Sequence, residues 1–250
     1  MTTFNNDPEE KRLLVEFSIS HREKDEFIKG RYHTIENEVF NGCFVGCSIY
    51  DLARLKNMSL GETKYDDRKE LARLFGTPND EWLFRYLDRM FQRLPSEDSR
   101  LLAEQFYAAL PVGIDVAPLR HQLAVRRMGR LLKEDHGENV NKAIIGVLVC
   151  HEQALVGNDP DWNSAYSAAW AAAWAAADFA ADSAAESAAY SAYSAAYSAA
   201  ESAAESATAS AYFAADSAAY SVDSAADSAA ESAAWQQERD DLLELIKELK

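Results

Sequence analysis

The sequence predicts a mainly α-helical protein: a helical head domain with one small β-hairpin, followed by a long Ala-rich helix built on a 15-residue repeat. Three observations predict it. Apolar residues in the first 157 positions recur at helical spacing behind readable helix starts. Gly and Pro number only ten and six in 250 residues, too few for a turn-rich all-β sandwich. From Ser164 to Trp235, 35 of 72 residues are Ala and none is Gly or Pro. Ala is the strongest helix former.

The head spans residues 1–157. Asp7-Pro8-Glu9-Glu10 places a capping Asp, a Pro at the first helical position and acids in the first turn. Residues 31–46 read as a short hairpin, Gly30–Glu36 returning through Asn37–Phe40 to Asn41–Cys47. A helix follows from about Ser48 to Leu55. Thr77-Pro78-Asn79-Asp80-Glu81 starts another helix, whose apolar face is Trp82, Leu83, Tyr86, Leu87, Met90 and Phe91. Ser96-Glu97-Asp98 precedes Leu101, Leu102, Phe106 and Leu110. Leu119–Leu132 and Val140–Leu155 complete the head. The boundary is set near Gly157-Asn158-Asp159-Pro160.

Residues 158–250 follow different rules. In rows of fifteen from Asp178, positions 1, 5, 9 and 13 are aromatic or acidic in fifteen of sixteen cases, with Thr208 the exception. Positions 4, 8 and 12 are always Ala. A stripe with steps of 4, 4, 4 and 3 has 3.75 residues per turn. A straight α-helix has about 3.6, so keeping the stripe on a partner requires a right-handed supercoil. One nearly continuous helix is expected, capped by Asp159 with Pro160 in its first turn. Small Ala and Ser columns permit close approach of helices. Twelve aromatic residues between Trp162 and Trp235 would be exposed on a lone rod, which points to an interface. The expected interface residues are Trp170, Trp174, Tyr190, Tyr193, Tyr197, Tyr212, Phe213, Tyr220 and Trp235. Leu242, Ile246 and Leu249 extend it as a terminal amphipathic clasp. The segment either oligomerises or packs on the head.

The chain carries a net charge of −16, distributed unevenly. Residues 1–142 hold 22 Lys and Arg against 24 Asp and Glu; residues 143–250 hold 3 against 17. A tail with no Lys or Arg from Ala143 to Glu238 cannot displace counterions from a phosphate backbone, which excludes direct nucleic-acid binding by the tail. It also disfavours anionic membrane surfaces. No uninterrupted apolar run is long enough to span a bilayer. The N-terminus has acids where a secretory signal needs bases, so a cytoplasmic location in the producing or infected bacterial cell is expected, with virion association a further option.

Chemistry-bearing motifs are sparse. Phosphate loops, dinucleotide fingerprints and nucleophile elbows are missing from the sequence, and neither cofactor nor metal is expected. Cys43 and Cys47, with His33 on the facing strand, have the wrong spacing for zinc. Cys47 near a helix N-terminus is the one candidate nucleophile, with His33 as its base. The alternative is that both thiols pack as small core residues, with Gly42 and Gly46 allowing close backbone approach.

Gly-Cys-Phe-Val-Gly-Cys (Gly42–Cys47), the Phe-Gly-Thr-Pro…Trp-Leu stretch with Leu-Asp-Arg-Met-Phe (Phe75–Phe91), Leu-Pro-Val-Gly-Ile-Asp (Leu110–Asp115) and the Ala-rich tail together resemble a family of uncharacterised proteins carried by phages and prophages. The resemblance implies a phage or bacterial setting and no particular chemistry. The leading expectation is a non-enzymatic structural or interaction protein that forms a homo-oligomer through an acidic right-handed helical bundle. The alternative is a phage-encoded inhibitory protein whose acidic helix blocks a host defence protein with a basic face. A surface-binding helix of the antifreeze kind is disfavoured by the near absence of Thr.

Overall fold

A computed structural model describes residues 2–36, 39–58, 64–133, 138–165, 167–169 and 228–249. The described residues are mainly helical, with one two-stranded antiparallel sheet. They form two compact units: residues 1–117 with 235–250, and residues 118–234. The division therefore does not follow the expected 157/158 boundary. Two helices assigned to the head fall in the second unit, and the C-terminal segment folds with the first.

In the first unit, α1 (Pro8–Glu23) starts as its sequence dictates: the Asp7 side chain accepts from the Glu9 amide at 2.8 Å. Strands β1 (His33–Glu36) and β2 (Val39–Gly42) pair with His33 opposite Gly42. Helix α2 (Phe44–Leu55) begins one turn earlier than expected because extended Cys43 takes the N-cap position. Gly42 and Gly46 allow the loop before β1 to cross it. A Cβ at Gly46 would lie 1.8 Å from the Tyr32 carbonyl oxygen, and one at Gly42 would lie 2.6 Å from it. The close backbone approach expected from the glycines is thus realised.

Helix α3 (Arg68–Phe75) has no counterpart among the expected elements. Asp67 caps it through the Lys69 and Glu70 amides, and Gly76 ends it at φ +93°. Its eight residues lie below the length at which helical periodicity is readily distinguished. Helices α4 (Glu81–Arg93) and α5 (Ser96–Ala109) follow their predicted faces. Trp82, Leu83, Phe84, Leu87, Met90, Leu102 and Phe106 are all fully buried.

The first residues are stitched into this unit by an unusual turn. Phe4, Asn5 and Asn6 all adopt left-handed conformations, with φ of 54°, 49° and 61°. Such a run costs ~1–2 kcal/mol per residue for L-amino acids. Phe4 offsets part of this by burying its ring against Phe75, 4.7 Å away. The Asn5 amide donates to the Leu74 carbonyl at 2.7 Å and to Glu10 at 2.9 Å. Thr3 ties the turn to the loop after α5, donating to the Pro111 carbonyl at 2.7 Å.

The second unit pairs α6 (Leu119–Leu131) with α7 (Glu138–Leu155). Met128, Val140, Ile144 and Val147 form its core with Trp162, Ala165 and Ala169. Residues 162–165 and 167–169 are helical. The cap of this helix is Asp161, whose side chain accepts from the Ser164 amide at 3.0 Å. Asp159, the expected cap, lies two residues too early, because the chain is still non-helical through Pro160 and Asp161.

Helix α8 (Ser228–Glu248) joins the first unit from Trp235 onward. Trp235 is 2% exposed, its ring centroid 6.3 Å from that of Tyr86 on α4. Leu242, Leu245 and Ile246 are buried. Replacing a buried Trp by Ala costs about 3–5 kcal/mol. Trp235→Ala is expected to lower the stability of the first unit by that amount, measured as a drop in urea midpoint by circular dichroism. An unchanged midpoint would show that α8 lies outside the cooperative core.

Candidate functional site

Of the interface residues expected from sequence, Trp170, Trp174, Tyr190, Tyr193, Tyr197, Tyr212, Phe213 and Tyr220 lie outside the described residues. Trp235, Leu242 and Ile246 are buried in the first unit, and Leu249 is half-buried. The clasp thus closes on the protein's own head. Its phase is informative. The stripe runs Asp223, Asp227, Glu231, Trp235, and then steps by 3, 4 and 4 to Glu238, Leu242 and Ile246. All four of the last positions are buried. The stripe positions run into the contact, and off-stripe Asp241 and Leu245 are buried beside them, so the buried face here is broader than the repeat.

An acid of the stripe can be buried only with a partner. Tyr86 supplies it, donating its hydroxyl to Glu238 at 2.5 Å. Around this contact, Gln236 donates to Asp98 at 2.6 Å and Arg239 pairs with Asp98 at 2.5 Å. Both hold the Asp98 carboxyl below its ordinary range, the Gln236 hydrogen bond most strongly.

The cysteines do not form the expected nucleophilic site. Cys47 lies one turn inside α2 rather than at its N-terminus, with Sγ 3.5 Å from the Gly42 carbonyl oxygen. Burial pushes its thiol well above the ordinary range, and the charges of Asp51, Cys43 and Glu26 push it further. His33 instead packs its ring on Phe40 and Tyr65, 5.7 and 4.7 Å away. Burial and Asp88 push Cys43 up to about 12. Among the described residues no group of His, Cys, Asp and Glu is arranged to hold a metal ion.

A different cluster sits between α1 and α2. The buried His21 ring faces Glu26 through Nδ1 at 2.6 Å and Asp51 through Nε2 at 3.0 Å. Local backbone explains the first contact. Asp25 turns the chain through φ +60° after α1, and the Glu26 amide donates to the His21 carbonyl at 2.9 Å. Gly42 then pins the turn, its amide donating to the Glu26 carbonyl at 3.0 Å. Burial alone would lower the His21 pKa, but Asp51 and Glu26 together raise it above the ordinary value. A carboxylate facing each ring nitrogen favours the imidazolium, held between two acids. It forms the floor of a pocket of about 250 Å³ lined also by Phe17, Ser20, Lys24, Phe40, Tyr50 and Arg54. Sequence reading missed it because His21, Glu26 and Asp51 carry no motif; only the end of α1 brings them together.

The second unit holds the opposite arrangement. His121 on α6 and His151 on α7 share a hydrogen bond between their Nδ1 atoms at 2.9 Å, and Trp162 packs on both rings. Burial brings His121 down to about 4, helped by Arg120. Burial, His121, Arg120 and Arg127 bring His151 down to about 3. His151 Nε2 has no hydrogen-bond partner among the described residues.

These environments give opposite linkage to pH. His21, raised in the folded state, contributes stability that is present below about pH 6.5 and is lost as pH rises through its folded pKa. The His121–His151 pair, depressed in the folded state, contributes stability present above about pH 6.5 and lost as pH falls toward about 4. Ring-nitrogen NMR shifts across a pH titration are expected to give midpoints above 6.5 for His21, about 4 for His121 and about 3 for His151. A His151 midpoint near 6.5 would contradict the buried arrangement. Alkylation of the native protein at pH 8, located by mass spectrometry, should spare Cys43 and Cys47. All three cysteines should react in denaturant.

No helix among the described residues is long and apolar enough to cross a membrane. Comparison with known protein families, with characterised proteins and with solved structures finds no match.

Proposed function

We propose that this protein is a non-enzymatic interaction protein. Its helical head anchors an Ala-rich acidic segment, and the aromatic and acidic stripe of that segment binds a second copy of the chain. The observation that carries this reading is the phase of the last row. Trp235, Glu238, Leu242 and Ile246 continue the stripe and are all buried on the head, with Asp241 and Leu245 buried beside them. The face chosen by the repeat is therefore a contact face wherever its side chains are described. Glu238 also gives the acids of the stripe a role: a carboxylate on this face is accommodated by a hydroxyl donor such as Tyr86.

Two further observations support the reading. Residues 162–169 pack in the second unit and residues 235–249 in the first, so both ends of the repeat segment are tied to folded structure. The buried, protonated thiols of Cys43 and Cys47 also remove the nucleophile that the sequence offered. The setting we infer is the cytoplasm of a bacterial cell that produces or is infected by a phage.

Light scattering of the full chain tests the proposal. A homo-oligomer at micromolar concentration is expected. Replacing Tyr190, Tyr193, Tyr197, Tyr212 and Tyr220 together by Ala should shift it to monomer while leaving thermal unfolding of the head unchanged. A monomeric wild-type chain would overturn the reading.

A further inference from the structure

We propose that the pocket between α1 and α2 binds a small organic monoanion, a carboxylate on a planar aromatic body, through Arg54.

The charges select the ligand. His21, Lys24 and Arg54 are the cations of this pocket, and Glu26 and Asp51 are its carboxylates. Both carboxylates are committed to the His21 ring. The floor, one imidazolium between two carboxylates, keeps one negative charge, and Lys24 and Arg54 bring the pocket as a whole to one positive charge in excess. Neither Lys24 nor Arg54 has an ion-pair partner among the described residues. Both stand exposed at the rim, where a ligand can reach them. An acidic protein of net charge −16 that leaves a guanidinium unpaired beside a cavity has a recognition element there, because surface carboxylates were abundant as alternatives.

Arg54 is also held in a defined pose. Its guanidinium carbon lies 5.7 Å from the Phe17 ring centroid and 5.4 Å from that of Tyr50. Cation–π contact with these two rings leaves the guanidinium N–H donors for a ligand. A planar fork with free edges matches a carboxylate in bidentate geometry. Sequence spacing produces this placement: Phe17 lies one turn before His21 on α1, and Tyr50 one turn before Arg54 on α2.

The walls select the rest of the ligand. Phe17, Phe40 and Tyr50 line the pocket, Phe40 and Tyr50 stacking at 4.2 Å with planes 12° apart, so aromatic surface stands beside the cation. The volume of about 250 Å³ is below the usual range for drug-sized ligands, so the occupant is small. Because His21 has both N–H groups engaged, the floor repels a second anionic group through its carboxylates. A dianion is disfavoured, and so is an anion without an apolar body.

Titration of the full-length protein with benzoate, benzamide and inorganic phosphate, followed by NMR of the His21 and Tyr50 ring signals, tests this. Benzoate should saturate these shifts in the millimolar range. Benzamide, the neutral isostere, and phosphate, the anion without a ring, should each bind at least about tenfold more weakly. Arg54→Gln should weaken benzoate by about the same factor. Arg54 is exposed and without an ion pair, so the variant should fold, which circular dichroism verifies. Arg12→Gln, on the same unit but away from the pocket, should leave binding unchanged. Equal binding of benzamide or phosphate, an unaffected Arg54→Gln, or no saturable shift would each overturn the proposal. None of these outcomes depends on the oligomeric state of the Ala-rich segment.

Discussion

The burial of the stripe residues from Trp235 to Ile246 in the head is the contact on which the rest of the architecture depends. It makes the C-terminal helix, from Trp235 onward, part of the first unit's core. Trp235 provides the apolar area, since a buried aromatic ring is among the largest single contributions to a core. Glu238 and Asp98 provide specificity. Each is an acid in a half- or fully-buried place, and each would be costly without Tyr86, Gln236 and Arg239.

The same logic runs through the first unit, which must bury several acids in a strongly acidic protein. Glu10 pairs with Lys56 at 2.7 Å and accepts from Asn5. Asp88 takes Arg68 at 2.6 Å, while Arg68 lies over the Tyr32 ring. Glu81 is paired with Arg85 within one turn of α4. Asp51 is the exception in kind: its partner is a histidine, and burial raises its own pKa against the opposing pull of His21. An apolar pair would fill a core more simply than two ionisable groups that depend on each other in this way.

Fold class was legible because the signals were redundant. Asp7-Pro8 and Thr77-Pro78 mark helix starts by chemistry that acts locally, and the α4 face repeats over three turns. The Gly42 and Gly46 pair was also readable, since only a missing Cβ tolerates the Tyr32 carbonyl so close. What failed were properties set by non-local contact. Helix α3 is too short to show a period. The left-handed turn at Phe4–Asn6 has no Gly to announce it and exists because Phe75, Leu74 and Pro111 hold it. The unit boundaries escaped notice because composition changes near Gly157, while the chain divides by packing at residues 117 and 235. His21, Glu26 and Asp51 converge only after α1 has turned through Asp25. The same distance in sequence separated His121 from His151.

The repeat period sets how much of such a stripe one straight surface can cover. In a straight helix each residue advances about 100°. Fifteen residues therefore overshoot four turns by about 60°, and a stripe of several rows winds well around its own helix. Straight neighbours such as α4 and α5 can cover one row before the stripe rotates out of reach. The buried stripe positions Trp235, Glu238, Leu242 and Ile246 span 12 residues, less than one full row, and so stay within that limit. A longer helical stripe of this period would need a partner that follows the winding. A second helix carrying the same 15-residue repeat has that property by construction, because its own stripe drifts at the same rate and in the same sense. The head is thus suited to terminate the stripe, and a like segment is suited to extend it.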